Sequence, residues 1–482
     1  MRFLSKEQKK KIGYEYILDN INTVTNVGAE LKYNSKPFTI ENKSALAKEL
    51  ENTEKFIDCI TKNKEMESEL GFFLCKFKDL RATFSKVKKG SILDEIELFE
   101  IKSFSKLCND ISIEYSKTGI DVDAICFRDV KPVFRILDPD NLNIDTFFIY
   151  DSYSPDLKET RFKRTQLELR ISQTNDPDTR SSLLSERMEI VSKEHELEFE
   201  IKKELTTKIK TYIDALVQNT DVIGYMDFLL AKAKYFKASN AVKPEIVENS
   251  NDIGDALELY KTYNPYYSDI MARKHKTMTA LDITIQRGVT LLTGANMGGK
   301  SICMKTVALN VLLANSGMYV YADSARIPMV DFLYMISDDL QNVESGLSTF
   351  GAEIMYLKKI IAASKHKNGL IILDELARGT NPHEGKILLQ AVIEFFKKQK
   401  SYTFISTHFD GIPCDDIRHL QVVGISKINF EKLSQLIDLN KGKALDIIQE
   451  YMDYSIEETE ANEVPQNALQ IAKLLGLDSR SL

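Results

Sequence analysis

The segment Val289–Ser301, VTLLTGANMGGKS, constrains the fold more than any other. An apolar run suited to a buried strand passes straight into a glycine-rich turn ending in Lys300 and Ser301, and a helical pattern comes next. The spacing GxxxxGKS is that of a phosphate-binding loop, in which successive backbone N–H groups point inward with a helix N-terminus behind them. Gly294, Gly298 and Gly299 let the main chain approach phosphate without a Cβ clash. Lys300 is expected to reach the β and γ oxygens of a triphosphate, and Ser301 to ligate Mg²⁺. The expected ATP-binding set is Gly294, Ala295, Asn296, Met297, Gly298, Gly299, Lys300, Ser301 and Ile302.

Further elements downstream suit the same chemistry. In GLIILDELARGT an apolar strand ends in Asp374 and Glu375; Asp374 is placed to hold the Mg²⁺ shell and Glu375 to polarise an attacking water. In FISTHFD, His408 follows another short apolar strand, at the end of an α/β sheet where ligands bind, which suits a γ-phosphate sensor. In ESGLSTFGAE, Ser345, Ser348 and Thr349 precede a helical run. By physics alone they form either a simple N-cap or a helix terminus that receives a phosphate from another subunit.

A parallel sheet covered on both faces is expected, because strands at Val289–Leu292, Gly369–Leu373 and Thr403–Ser406 alternate with helices at Ser301–Asn315, Gly351–Ala363 and Glu384–Lys400. The chain has 482 residues, too many for one ordinary core. Before the loop the periodicity is helical from Ser44 to about Lys117. It shortens in VFRILDPDNLNIDTFFIY to a pattern that reads as a small extended insertion. Two long helical patterns come after it, Pro155–Gln173 and Thr179–Leu216, broken by TNDPD. In the second, Leu197, Ile201, Leu205, Ile209, Tyr212 and Leu216 line one face. At 1.5 Å per residue these arms reach roughly 25–30 Å and 55–60 Å. The pattern fits either a lever-like hairpin or an ordinary antiparallel pair packed on a core.

Hydrophobic residues make up 43% and charged residues 28%, as in a soluble globular protein. With a net charge of −7, attraction to nucleic acid is not written into the chain as a whole and has to come from a local patch. Lys158, Arg161, Lys163, Arg164 and Arg170 on the first arm offer such a stripe, interrupted by Glu159 and Glu168. The six cysteines form no CxxC pair, which favours reduced thiols and a cytoplasmic protein. No signal peptide and no apolar run of about 18 residues occurs, so no membrane partner is expected.

Taken in order, TGANMGGKS, GLSTF, LDELARGTNPHEG and STHF resemble the MutS family of ABC-type ATPases, with Ala295 where the family's loop has Pro. The resemblance implies that Asn296 is the loop asparagine near the phosphates. It also implies that Ser348 acts across a dimer interface on the partner's ATP. More diffuse likenesses are INTVTNVGAEL to the start of the family's core helical domain, IGYMDFLLAKAKY to the return of its lever helices, and PQNALQIAKLLGLD to its C-terminal dimerisation segment. The implied fold class is mainly α plus α/β, a helical core and lever domain followed by an ABC-type P-loop ATPase domain with a mainly parallel sheet. The expected divisions are 1–120, helical core; 121–154, extended insertion; 155–248, lever helices; 249–445, ATPase; 446–482, C-terminal helical dimerisation segment. GTNPHEG is closer to the second MutS subfamily. The start of the chain leaves no room for the family's mismatch-reading and connector domains, and the tip TNDPD replaces a DNA-gripping clamp, its Asp176 and Asp178 repelling phosphate.

The resemblance implies two functions. One is a DNA-associated ATPase, a homodimer or a heterodimer with a related MutS-like chain, whose lever arms hold double-stranded or branched DNA. The other is a protein-remodelling ATPase, such as a reactivating factor for a cobalamin-dependent aminomutase, which explains missing DNA domains and an acidic chain. A solitary P-loop ATPase is the third, less specific reading.

Overall fold

The computed structural model describes residues 3–247, 256–294, 299–337, 349–413, 416–424 and 452–459. These divide into two compact units: residues 1–21, 35–54 and 234–482 form one, and residues 22–34 and 55–233 the other. Residues 1–21 and 35–54, expected with the helical core, therefore belong to the unit that carries the phosphate loop. Two of the crossings between units fall inside helices, Lys43–Lys62 and Ile213–Ala238.

The loop-bearing unit holds ten described strands: β1 (Glu245–Val247), β2 (Leu257–Thr262), β3 (Leu281–Ile285), β4 (Gly288–Thr293), β5 (Ser324–Pro328), β6 (Phe332–Ile336), β7 (Gly369–Asp374), β8 (Tyr402–Ser406), β9 (Arg418–Gly424) and β10 (Asp453–Glu458). Six of them order as β10-β9-β4-β8-β7-β6, parallel except for the edge strand β10. The mainly parallel sheet is as expected, and β4, β7 and β8 are buried along their whole lengths, the signature of strands covered on both faces. Val289, Leu291, Ile371, Leu373 and Ile405 pack with Leu357 and Ile360 of the helix Thr349–Ser364 and with Leu389, Val392, Ile393 and Phe396 of the helix Pro382–Phe396. The alternate residues Thr290, Leu292, Leu370, Ile372 and Phe404 point to the opposite face and are equally buried. The helix Gly299–Asn315 contacts β7 and β8 and is apolar nearly all round. A second, four-stranded sheet, β1-β5-β2-β3, was not expected. Its strands are short and half-exposed, and the β1–β5 pairing joins Glu245 to Arg326.

Residues 453–458, expected from the sequence to lie in a C-terminal helical segment, form the strand β10 against β9. The helical pattern of PQNALQIAKLLGLD itself lies outside the described residues.

The other unit is helical. Phe56, Leu70, Phe84, Leu98, Ile111, Ile201, Leu205, Ile209 and Leu216 belong to one core, with Leu197 and Tyr212 packed at its margin, so the predicted apolar face of the second arm is the buried one. Ser154 caps the helix Pro155–Gln173, accepting the Leu157 N–H, with Pro155 at its first turn. Asp176 caps the helix Pro177–Lys210 through the Thr179 N–H at 3.0 Å, so the acidic tip is a cap. At 1.5 Å per residue the two helices run about 28 Å and 51 Å. The second stops short of Leu216 because the Thr211 hydroxyl takes the Lys208 carbonyl at 2.8 Å and Tyr212 N–H reaches back only to Ile209; a new helix starts at Ile213.

The expected extended insertion at 121–154 is corrected. Its first apolar run is the helix Lys131–Leu137, with Pro132 in the first turn and Val133 and Leu137 buried four residues apart. No strand occurs there among the described residues. Beyond Leu137 the chain is irregular and is held by the buried Lys102 ammonium, which donates to Asp138 Oδ1, the Ile144 and Thr146 carbonyls and the Tyr150 hydroxyl at 3.1–3.3 Å. Tyr150 in turn donates to Asp138 Oδ1 at 2.9 Å. β-Branched and aromatic residues in this stretch serve packing, and tertiary context overrides their strand preference.

Candidate nucleotide site

Parallel strands bring their carboxyl ends to one edge, and three of them carry the chemistry. Register aligns Leu292 of β4 and Asp374 of β7 with Ser406 of β8. Gly294 leaves β4 at φ 130°, and a Cβ there would sit 2.9 Å from Val422 Cβ and 3.0 Å from the Val422 carbonyl oxygen. Only glycine takes that conformation against that neighbour. A Cβ on Gly299, at the start of the following helix, would lie 3.0 Å from Tyr454 Cδ1. The two ends of the loop thus rest on β9 and β10. Ala295, Asn296, Met297 and Gly298 lie outside the described residues, as does Ser348.

Lys300 is buried, and its ammonium donates to the Gly294 carbonyl at 2.7 Å while standing 3.7 Å from Glu375 Oε1. Burial lowers its pKa; Glu375 and then Asp374 oppose that shift. Ser301 and Ile302 come next in the first turn of the same helix, both half-buried. Across the sheet edge, Asp374 is buried and accepts the Ser406 hydroxyl at 2.6 Å. Ser406 Oγ also accepts the Glu375 N–H at 3.0 Å, so one hydroxyl fixes both acidic residues. Glu375 itself stands at φ 53°, with Arg378 Nη1 at 3.1 Å from its Oε2. Its carboxylate lies between two cations.

His408 follows β8 by two residues, where the Thr407 N–H donates to the Leu292 carbonyl of β4 at 3.2 Å. The His408 ring lies tilted against Phe409 with centroids 4.5 Å apart, and its buried Nδ1 has no hydrogen-bond partner among the described residues. Thr293 Oγ1, one residue before Gly294, pairs at 2.8 Å with Nε2 of the buried His419 on β9.

The donor set suits a magnesium nucleotide: hydroxyl and carboxylate oxygens for a hard cation, and the buried Lys300 ammonium beside them. Motif spacing alone points to Lys300, Asp374, Glu375 and His408. It misses Ser406, Arg378, His419 and Val422, of which only Ser406 sits beside a motif histidine, in FISTHFD.

Three of the five cations of the basic stripe, Arg161, Lys163 and Arg164, are paired with acids within the other unit. Arg161 donates to Asp151, Glu194, Glu198 and the Ile149 carbonyl, and Arg164 to Glu194. Lys163 pairs with Glu159. Arg161 and Arg164 therefore tie the two long helices to each other and are not offered to phosphate.

Among the described residues no helix is long and apolar enough to cross a membrane. The described cysteines, Cys59, Cys75, Cys108, Cys126 and Cys303, are all free thiols.

Residues 290–476 match the family described as MutS domain V. The chain is 31% identical over 283 residues to an endonuclease MutS2 of Lactococcus lactis subsp. cremoris, covering 58% of this chain and 32% of that protein. It is 25% identical over 436 residues to the endonuclease MutS2 of Caldanaerobacter subterraneus, 78% of this chain and 53% of that protein. A DNA mismatch repair protein MutS of Fusobacterium nucleatum is 29% identical over 352 residues, 69% of this chain and 36% of that protein. The chain thus spans between a third and about half of the length of these relatives.

Proposed function

We propose that this chain, whose residues 290–476 match MutS domain V, is a MutS-family ATPase that binds and hydrolyses ATP with Mg²⁺ and couples that cycle, in a dimer, to the long helices in repair-related DNA metabolism. The observation that carries the reading is the meeting of Lys300 with Glu375 at 3.7 Å, while Ser406 holds Asp374 and Glu375 together.

Gly294, Ala295, Asn296, Met297, Gly298, Gly299 and Ile302 form the cradle, and Lys300 brings its ammonium to the β and γ oxygens. Ser301 and Asp374 hold the cation, whose charge, when bound, neutralises that of the phosphates. Glu375 accepts a proton from the attacking water, and Arg378 and the Ser406 anchor keep its carboxylate aimed. His408 offers its free nitrogen to the γ-phosphate. Ser348 of one subunit completes the partner's site, and the same holds in a homodimer or in a heterodimer with a related chain. Double-stranded or branched DNA is the client, which the names of the relatives favour over an aminomutase.

The test is Glu375→Gln. Purified wild type is expected to hydrolyse ATP only with Mg²⁺, and the variant to bind it, turn over slowly and collect as an ATP-bound dimer by light scattering. A variant as fast as wild type removes Glu375 as the base. A variant that stays monomeric with ATP removes the cross-subunit role of Ser348.

A further inference from the structure

The turn that carries Glu375 is conformationally costly. Glu375 and Ala377 both adopt left-handed backbone, at φ 53° and 64°, with the buried Leu376 between them. Neither is glycine, and side chains with a Cβ seldom take that conformation unless their surroundings impose it. On the β8 side the imposition is visible: Ser406 Oγ accepts the Glu375 N–H.

The second restraint comes from another element. Glu353, one turn into the helix Thr349–Ser364, is buried with 5% of its surface exposed, and its Oε2 accepts the Ala377 N–H at 3.2 Å. On the other side of the same residue, a Cβ on Gly385 would stand 3.1 Å from the Ala377 carbonyl oxygen, which also accepts the Thr380 N–H at 3.3 Å. Ala377 is fully buried. Ala377 thus lies between the Glu353 carboxyl on its N–H side and the first turns of the helix Pro382–Phe396 on its carbonyl side. A buried side-chain oxygen that accepts a main-chain N–H favours the backbone conformation that presents that N–H.

We propose that Glu353 is a positioning residue for hydrolysis: it holds Ala377 in the left-handed conformation and thereby fixes the direction in which Glu375 leaves β7. Without that acceptor the Ala377 N–H is buried and unsatisfied, the turn relaxes toward right-handed backbone, and the Glu375 carboxylate leaves its place between Lys300 and Arg378. Nucleotide affinity is expected to rest on the loop and Lys300, so the loss falls on turnover. The inference rests on the reading of Glu375 as the base.

The test uses the full chain, ATP hydrolysis and binding of a fluorescent ATP analogue. Glu353→Ala is expected to lower kcat by about ten- to a hundredfold, the range for losing a supporting partner of a site residue, with KM and analogue affinity unchanged. Glu353→Gln keeps an acceptor oxygen and restores most of the rate. Ala377→Gly in the Glu353→Ala background also restores it, because glycine takes φ 64° without help. A role confined to holding the fold predicts neither rescue. If Glu353→Ala does not fold, Glu353→Asp, one methylene short of Ala377, carries the test with the same expected split and the same glycine rescue. Wild-type kcat in the folded variant, or a loss that Ala377→Gly leaves untouched, overturns the proposal. A wild type without Mg²⁺-dependent hydrolysis overturns the reading of Glu375 itself, and this inference with it.

Discussion

Replacing Ser406 by alanine separates support of the acidic pair from the pair itself. Ser406 is fully buried, donates to Asp374 Oδ1 at 2.6 Å and accepts the Glu375 N–H at 3.0 Å. Losing a hydrogen bond to a charged group costs about 1.5–3 kcal/mol, and leaving a buried N–H unsatisfied costs roughly 1–3 kcal/mol. Partial relaxation of the strand end brings the expected loss to about 3 kcal/mol, or roughly 5 °C in Tm for a unit of this size. Activity is expected to fall as well, because partners that orient a metal-binding carboxylate typically carry ~10–100-fold in metal affinity or rate. The assay is calorimetry together with ATP hydrolysis titrated against Mg²⁺, where the midpoint should move to higher Mg²⁺. Thr403→Val on the same strand is the control, since Thr403 Oγ1 is buried with no partner among the described residues and its loss should be neutral or stabilising. Should Ser406→Ala keep the wild-type Tm and Mg²⁺ midpoint, the hydroxyl does not organise the pair and the site description fails.

Lys300→Ala is expected to abolish detectable turnover, since it removes the buried ammonium that stands 3.7 Å from Glu375; unchanged steady-state hydrolysis by pure variant refutes the assignment. Reversing Arg161 and Arg164 to Glu is expected to lower Tm sharply, because Glu194 and Glu198 are left facing like charges. A variant that melts like wild type yet loses salt-dependent affinity for duplex DNA in an anisotropy titration would restore the phosphate-stripe reading.

Local signals were legible where they were complete on their own. The helical pattern read at about Pro155 to Gln173 is the helix observed, with Ser154 as its cap. The chemistry of Lys300, Asp374 and Glu375 comes from motifs a dozen residues long. Register and distance decide the parts that stayed hidden. Ser406 matters because β7 and β8 pair Asp374 with it, and Glu353 is an unremarked helical glutamate until the Ala377 N–H is found against it. The second sheet escaped because β1 is three residues long and finds its partner about eighty positions away. Between 131 and 137, β-branched residues suggested a strand, yet Pro132 and the four-residue spacing of Val133 and Leu137 carry the helix. The arginine stripe misled for a related reason: composition counts the cations on one helix but not the acids that another helix brings to them.

The way the loop rests on β9 and β10 changes what its glycines report. A side chain at 294 collides with Val422, and one at 299 crowds Tyr454, whatever the loop holds. A library of variants sorted only for folded protein would return glycine at 294, and favour it at 299, before any nucleotide was added. Drift at those positions is therefore gated by residues more than a hundred places downstream: a smaller side chain at 454 relieves position 299, whereas at 294 the main chain of Val422 and the φ of 130° hold glycine in place.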